Sequence, residues 1–371
     1  MLAQAIAASF PAGIAVQALL RATAARAQSA NVSRDLFDIE PAGKNAYLAL
    51  AKPAAMLNCN STIFVDADHI IIVDSHSKPS AAAALVGQIR RQVSSKPVRY
   101  LVNTHFHYDH AQGNAAYRKL KGKVDVVASI ETRHLIEERG AKGVASGIEQ
   151  MKRRAEEAKE KLSMARSAED KAFYQRAALE CEAFVREMTG YEPELPDITF
   201  DRELVLHGKR LDVHLVFRGR AHTASDICAY CPQEKVLSTG DLIVGFLPGM
   251  GDGFPSEWPA TLEEMGKLPF ERILPGHGTM QAGRSRLDQM RIYIEELNSV
   301  VERARKAGQS LEETLRAVGP DSLRSLRESD YGQFVMNTEA RFRFRAPRSD
   351  PRDLLVNGLR ANITAIYQKL S

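Results

Sequence analysis

Short apolar runs rich in isoleucine and valine recur along the first two thirds of the chain. The segment "NSTIFVDADHIIIVDS" (60–75) is typical of two short strands joined by a tight turn, and "VRYLVNT" (98–104) is typical of another strand. Between them, "SAAAALVGQIRRQV" (80–93) has the spacing of a helix. We predict further strands at 123–128, 199–206, 211–217, 226–231, 235–239 and 272–275. Alternating strands and helices indicate an α/β domain, which we place at 28–282.

A block at 147–190 interrupts this alternation and has the spacing of two helices. The apolar positions that recur at intervals of three and four form two stripes, namely Ile148, Met151, Ala155, Ala158 and Leu162, then Phe173, Ala177, Cys181, Phe184 and Met188. Ser167 and Asp170, between the stripes, fit the start of a second helix. We therefore predict a helical hairpin inserted between strands. It is either a decoration packed on the core or a wall over a pocket.

The two ends of the chain differ from this central domain. After "PGHG" (275–278) the pattern becomes polar and helical, which predicts a helical C-terminal region at 283–371. At the other end an apolar stretch is followed by "ARA" (25–27), which fits an A-x-A cleavage site. We predict a signal peptide at 1–27 and a periplasmic or secreted mature protein. The stretch is too short for a convincing membrane span, so we expect no stable membrane anchor.

Composition, charge and cysteine spacing argue against a nucleic-acid-binding protein and against a redox or zinc cysteine pair. With 44% hydrophobic and 26% charged residues the chain has the composition of an ordinary soluble protein, and its net charge of +4 is not gathered into one run. The densest basic patch, "RFRFRAPRSDPR" (341–352), is better explained as a solvated surface, so no nucleic-acid partner is expected. Cys228 and Cys231 lie three apart in a predicted strand and should face opposite sides, which favours buried thiols over a redox or zinc pair.

The segment "HFHYDH" (105–110) places four potential metal ligands in six positions, directly after a predicted strand. His105 and His107 are two apart, so in an extended segment both point the same way, while Asp109 and His110 follow where a helix should begin. Imidazole and carboxylate together suit zinc or iron. Four such ligands exceed what one tetrahedral ion usually takes from so short a loop, so the segment favours two adjacent metal ions.

Three more candidate ligands stand at the ends of predicted strands. They are His222 in "GRAHT", Asp241 in "TGD" and His277 in "PGHG". Small residues flank them, as is needed where backbone crowds a metal. A single histidine at a strand end would not indicate a metal site. Seven potential ligands in order along one chain do predict a metal centre.

These four motifs together resemble those of the metallo-β-lactamase-fold hydrolase superfamily over roughly residues 40–280. The resemblance implies an αββα four-layer sandwich with a dinuclear centre at one edge, usually of zinc, and hence two Zn²⁺ per chain. It assigns His105, His107 and His222 to the first metal, Asp109, His110 and His277 to the second, and Asp241 as the bridge. Aspartate at the last position resembles the glyoxalase II, lactonase and general hydrolase branches more than the zinc β-lactamases, which typically have cysteine or serine there.

The chemistry expected of such a centre is hydrolysis. Two metal ions that share a water lower its pKa toward about 7, so that a hydroxide exists at neutral pH to attack a carbonyl carbon. Asp109 is our candidate catalytic residue, since it can orient this nucleophile or carry a proton. The predicted function is cleavage of an amide or lactam, ester or lactone bond in a small-molecule substrate. The alternatives are a mononuclear iron oxygenase of the persulfide dioxygenase type and a phosphodiesterase or nuclease. The oligomeric state stays open.

Substrate contacts are expected from one loop and one aromatic residue. The segment 244–265 begins three residues after Asp241 and has the glycine and proline content of a loop, yet it carries large apolar side chains. From it we select Phe246, Met250 and Trp258, and from the histidine segment Tyr108. For Trp258 and Tyr108, packing against the rest of the protein is the competing interpretation.

Overall fold

The computed structural model describes residues 35–53, 59–342 and 349–370, so the predicted signal peptide lies outside the described residues. The first of two sheets has seven strands that neighbour one another in sequence order, the first four antiparallel and the last four parallel. These strands are β1 (Phe37–Pro41), β2 (Ala46–Ala51), β3 (Ser61–Val65), β4 (Ile70–Val73), β5 (Val98–Val102), β6 (Asp125–Ser129) and β7 (Ile198–Phe200).

The second sheet has six strands, in the order β13-β12-β11-β10-β9-β8. Its strands are β8 (Glu203–Leu206), β9 (Val213–Phe217), β10 (Ile227–Cys231), β11 (Val236–Gly240), β12 (Arg272–Pro275) and β13 (Gln281–Ala282). The single strand predicted at 199–206 is wrong. Residues 201 and 202 turn the chain from one sheet to the other, so that segment forms the end of β7 and the whole of β8.

Helices connect the strands and extend beyond them. They are α1 (Pro79–Gln92), α2 (Tyr108–Ala111), α3 (Asn114–Arg118), α4 (Ile130–Met164), α5 (Ala168–Met188), α6 (Trp258–Met265), α7 (Ser285–Lys306), α8 (Leu311–Ala317), α9 (Arg324–Arg327), α10 (Tyr331–Phe342) and α11 (Pro351–Lys369), with a 3₁₀ turn at Pro320–Ser322. None of the helices in the described part of the chain is long and apolar enough to cross a membrane.

The two sheets pack face to face and helices cover both outer faces. Phe64 and Ile71 from the first sheet and Leu215 from the second belong to one buried cluster between the sheets. The alternate residues of the same strands, such as Ile63 and Ile72, pack outward against α1. Because both faces are covered, "IIIV" in β4 is apolar throughout rather than alternating. The expected αββα sandwich is confirmed.

The outer face of the second sheet is covered by the C-terminal helices. Cys228 and Leu237 of this sheet share one buried cluster with Trp258 of α6, Ile294 of α7 and Ile363 of α11. All four cysteines are free and buried. Cys228 belongs to this outer cluster and Cys231 to the cluster between the sheets, so the two thiols face opposite sides as predicted.

The inserted hairpin is confirmed, but its first helix begins at Ile130 rather than near 147. Helix α4 starts directly after β6, where the Ser129 side chain accepts a hydrogen bond from the N–H of Thr132. The predicted stripes meet between the two helices, with Met151, Cys181 and Phe184 among the buried residues. The first turns of α4 therefore belong to the core, and only its later part projects as a hairpin.

A buried carboxylate joins the two sheets. Asp66 follows β3, and its side chain accepts the backbone N–H groups of Lys209, Arg210 and Leu211 in the loop before β9, at 3.0, 2.7 and 3.2 Å. Burial opposes ionisation, but these donors outweigh it and hold the pKa of Asp66 below its usual range. The charged form is the one that the fold stabilises.

Replacing Asp66 by asparagine should lower the free energy of unfolding by about 1–3 kcal/mol at neutral pH, since an amide cannot accept all three bonds. The native pKa is depressed, so this stabilisation is present above the unfolded pKa of about 3.9 and is lost as pH falls through the native value. Denaturant titrations of both proteins should show a difference at neutral pH that shrinks at about pH 2. Asp201→Asn, at an exposed position, is the matched control. An equal difference at both pH values would contradict this account.

Candidate metal centre

The seven predicted ligands converge at one edge of the sandwich. His105 and His107 follow β5, and Asp109 and His110 lie in α2. His222, Asp241 and His277 come from the loops that follow β9, β11 and β12. Their ligand atoms form three overlapping groups in which all atoms lie within 4.8 Å of one another, namely His105, His107 and His222, then His105, His110 and Asp241, then Asp109, His110 and His277.

Three ring nitrogens form the first cluster. His107 Nδ1 lies 3.1 Å from His105 Nε2 and 3.0 Å from His222 Nε2. Nitrogens bound tetrahedrally to one zinc ion at 2.0–2.1 Å would stand about 3.3 Å apart. Two of the three nitrogen–nitrogen distances are therefore close to those expected on a single ion, and all three nitrogens lie within 4.8 Å of one another.

Mixed nitrogen and oxygen atoms form the second cluster. His277 Nε2 lies 3.3 Å from Asp109 Oδ2, and His110 Nε2 lies 3.7 Å from the same oxygen. Asp241 stands between the two clusters. Its Oδ2 is 3.5 Å from His222 Nε2 and 3.3 Å from His277 Nε2, while its Oδ1 is 3.4 Å from His110 Nε2. One carboxylate thus reaches both groups of ligands.

Two buried atoms at the centre, His110 Nε2 and Asp241 Oδ1, make no hydrogen bond to the described residues and face each other only as an ion pair at 3.4 Å. Leaving a buried polar atom unpaired costs about 1–3 kcal/mol, and more when the group is charged. Both atoms can present a lone pair to a cation, so the donor set and its unpaired atoms fit a bound metal ion.

The protonation preferences of these side chains fit the same interpretation. Burial lowers the pKa of His222 to about 4 and that of His105 well below its ordinary value. Both imidazole rings are therefore uncharged at pH 7, and each can offer a nitrogen lone pair to a metal ion. Burial disfavours the charge on Asp109, but His110 and His277 outweigh it and lower the pKa of Asp109 to about 2. Burial also opposes charge on His277, yet Asp241 and Asp109 raise its pKa to about 9. Metal binding would displace the proton that Asp241 and Asp109 stabilise on His277.

Partners on the far side of the rings fix which nitrogen faces the centre. Asp74 Oδ2 lies 2.8 Å from His110 Nδ1, and the carbonyl oxygen of Gly249 lies 2.9 Å from His222 Nδ1. His107 Nε2 lies 3.0 Å from Asp252 Oδ2. Each of these acceptors favours a proton on the outer nitrogen and leaves the inner one as a ligand.

Asp74 organises the segment before the histidines as well. It accepts hydrogen bonds from the N–H and the hydroxyl of Thr104 at 2.8 and 2.9 Å, and Thr104 Oγ1 lies 3.0 Å from His105 Nδ1. Asp74 also has a left-handed backbone, with φ of 66°. Sequence reasoning missed Asp74 and Asp252. An aspartate directly after the buried strand β4 was the available signal for Asp74.

Glycines allow the ligand loops to approach one another. A Cβ at Gly276 would lie 2.3 Å from Asp241 Oδ1, and a Cβ at Gly240, where φ is 49°, would lie 2.3 Å from Thr104 Oγ1. Neither position has room for a side chain. The expectation that small residues flank the ligands because the backbone is crowded is confirmed at these two positions.

The candidate substrate contacts differ in exposure. Tyr108 is 40% exposed beside the first cluster, and the Phe246 ring lies with its centroid 5.9 Å from that of His277. Met250 and Trp258 are buried, and Trp258 donates its indole N–H to the carbonyl oxygen of Leu242. Trp258 packs behind His222, with ring centroids 5.7 Å apart. Met250 and Trp258 belong to the hydrophobic core and Phe246 is buried too, so Tyr108 is the most exposed of the four candidates, and substrate contact by any of them stays a prediction.

Removing the carboxylate of Asp252 should weaken metal binding at the first cluster without disturbing the fold. We expect Asp252→Asn to reduce zinc affinity by about 10–100-fold, because the outer nitrogen of His107 loses its charged acceptor. Competition with a chromophoric chelator measures this, and Asp201→Asn is again the control. Unchanged affinity with an unchanged melting temperature would show that Asp252 does not orient the ring.

Comparison with known proteins agrees with this geometry. A family model described as the metallo-beta-lactamase superfamily matches residues 55–277. The solved metallo-beta-lactamase from Pontibacter korlensis is similar in fold, with a TM-score of 0.52 and 17% identity over 70% of this chain and 99% of its own. The DIM-1 metallo-beta-lactamase has a TM-score of 0.50 and 17% identity over 70% of this chain and 97% of its own. Because the family model covers more than half of its length, the chain belongs to the metallo-beta-lactamase superfamily.

Proposed function

We propose that this chain is a dinuclear zinc-dependent hydrolase that cleaves an amide or lactam, ester or lactone bond. The observation that carries the proposal is the position of Asp241, whose two oxygens lie 3.3–3.5 Å from ligand nitrogens of both clusters. A carboxylate so placed suits a bridge between two ions. We assign His105, His107 and His222 to one ion and Asp109, His110 and His277 to the other.

The bound zinc pair would supply an ionised water at neutral pH and positive charge for the oxygen of the attacked carbonyl. The protein's own residues supply position and proton transfer. Asp109 offers one carboxylate oxygen to the second cluster, which leaves the other to orient the nucleophile or to carry its proton toward the leaving group. Asp74 holds His110 in the tautomer that this arrangement needs, through the contact between Oδ2 and Nδ1 at 2.8 Å.

The ligand set and the family support the proposed class of bond. The two structural neighbours are called metallo-beta-lactamases, which supports cyclic amides as candidate substrates. Aspartate at position 241 instead resembles the lactonase and glyoxalase II branches, so esters, lactones and thioesters belong in the same panel. The proposed substrate is a small molecule in either case.

The test combines metal analysis with a hydrolysis panel on the purified full chain. Zinc content is measured by mass spectrometry, and the zinc-loaded protein is offered nitrocefin, lactones, thioesters, phosphodiesters and sulfate esters. Two zinc ions per chain and turnover of a carbonyl substrate support the proposal. A single iron with oxygen consumption on a persulfide would overturn it, as would turnover of phosphodiesters alone or of no substrate with any divalent ion.

A further inference from the structure

We propose that a cavity beside the candidate metal centre is the pocket for a phenyl-sized apolar group of the substrate, and that Gln112 accepts a hydrogen bond from an N–H next to that group. This inference rests on the proposed function of the neighbouring site. The metal ligands determine which bond reacts, whereas the cavity determines which apolar group of the substrate lies beside that bond. The cavity lies between the histidine segment and the inserted helix α4.

The size and lining of the cavity select an apolar occupant. Its volume is about 180 Å³, and its lining includes the large side chains of Phe106, Tyr108 and Ile136. An apolar cavity of about 150 Å³ is large enough to bind benzene. A phenyl ring therefore fits within this volume.

A buried amide supplies the polar contact. Gln112 lines the cavity, is only 6% exposed, and its Oε1 has no hydrogen-bond partner among the described residues. A buried oxygen of this kind is stabilised by a donor, and an N–H of the occupant can provide it once the Gln112 side chain turns toward the cavity. An amide N–H adjacent to the ring of the occupant meets this need.

Glycines in α4 keep the wall of the cavity open. Gly140 and Gly143 both line it, although glycine inside a helix costs about 1 kcal/mol relative to alanine. A Cβ at Gly140 would lie 2.9 Å from Pro193 Cγ, so this glycine lets the helix approach Pro193. A Cβ at Gly143 would meet no atom within 4 Å, so a larger side chain there has space to enter the cavity.

The cavity adjoins the first metal cluster at His107. His107 belongs to both, and its outer nitrogen contacts Asp252, which in turn lies 3.3 Å from Arg139 Nη1 at the cavity rim. The Arg139 guanidinium lies over the Phe106 ring, 5.5 Å from its centroid. An occupant would therefore lie against His107, one of the proposed metal ligands. The first half of α4, from Ile136 to Gly143, forms the wall of this cavity, and the lining includes no residue of the hairpin predicted at 147–190.

Binding of phenylacetamide tests the proposal without turnover. Calorimetry on the full chain, with and without zinc, should detect phenylacetamide, and acetamide should bind at least about tenfold more weakly because it lacks the ring. Gly143→Leu should weaken phenylacetamide binding by about tenfold or more, while Ala141→Leu, at an exposed position of the same helix, should not change it. Gln112→Leu should weaken it about threefold to tenfold, the loss of one hydrogen bond.

The outcomes separate this proposal from that of the function. If phenylacetamide binds in this pattern but no bond is hydrolysed, the result supports the cavity assignment and contradicts the proposed hydrolase function. If zinc binds and a carbonyl substrate turns over, phenylacetyl derivatives should exceed acetyl derivatives in kcat/KM, and Gly143→Leu should abolish that preference. Binding that Gly143→Leu and Ala141→Leu affect equally, or no binding of phenylacetamide, would overturn the cavity assignment.

Discussion

Replacing Asp241 by alanine is expected to release bound zinc and to lower kcat/KM by on the order of a thousandfold. Asp241 lies within 3.3–3.5 Å of ligand nitrogens from both clusters, so its loss affects both proposed ions. It would also leave His110 and His277 facing each other across a site with less negative charge. Zinc content and steady-state kinetics on the same preparation measure the two effects.

The control for this experiment is Asp201→Ala, at an exposed position in the turn between β7 and β8. Circular dichroism and thermal melts establish that both variants are folded. Two zinc ions and near-wild-type turnover in folded Asp241→Ala protein would refute the assignment of the bridge. Loss of activity with retention of both ions would instead limit Asp241 to a role in the reaction.

The second large effect is expected at Asp74, which is not one of the seven proposed ligands and contacts His110 instead. Asp74→Asn should weaken zinc binding at the second cluster by about 10–100-fold, since His110 loses its charged acceptor. Asparagine tolerates the left-handed backbone of this position, where φ is 66°, so the substitution tests the charge rather than the conformation. One of the donors that Thr104 and His110 direct at the carboxylate would lose its partner, at a cost of about 1–3 kcal/mol.

Zinc titration against a chelator measures the affinity of Asp74→Asn, and melts in the presence of a strong chelator measure its stability without metal. Asp201→Asn serves as the matched control. A variant that is destabilised without metal but keeps full affinity would make Asp74 a structural residue only. A variant with neither change would contradict the orienting role altogether.

The ligands themselves were predictable because each lies beside a strand end that the local pattern reveals. Apolar runs mark β5, β11 and β12, and the candidate ligands come within a few residues of each run. In a sandwich of this kind those strand ends meet at one edge, so ligands that are far apart in the sequence come close together in the fold. The three overlapping groups of ligand atoms bear out that expectation of convergence.

What the sequence did not reveal depends on contacts between distant segments. Asp74 reaches His110 across 36 positions, and Asp252 reaches His107 across 145. No local pattern encodes such pairs.

The early start of α4 was missed for a different reason. Its first half contains Gly140, Gly143 and Gly147, which weaken any helical signal, and the helix is stabilised there by the Ser129 cap and by packing.

Loop 244–257 shows the same limit for substrate contacts. Glycine and proline indicated a loop, and large apolar residues indicated that something is covered. The loop packs on the protein's own core through the buried Met250, and Trp258 at the start of α6 is buried as well, while Asp252 of the loop faces His107. The apolar pocket was found instead at α4, whose contact with the histidine segment follows only from the folded structure.

The most direct test of the account is an anomalous difference map at the zinc edge from crystals grown with zinc. We predict two peaks, one among His105, His107 and His222 and the other among Asp109, His110 and His277, with the Asp241 carboxylate between them. A single peak, or zinc bound only outside these seven side chains, would contradict a dinuclear centre in this protein.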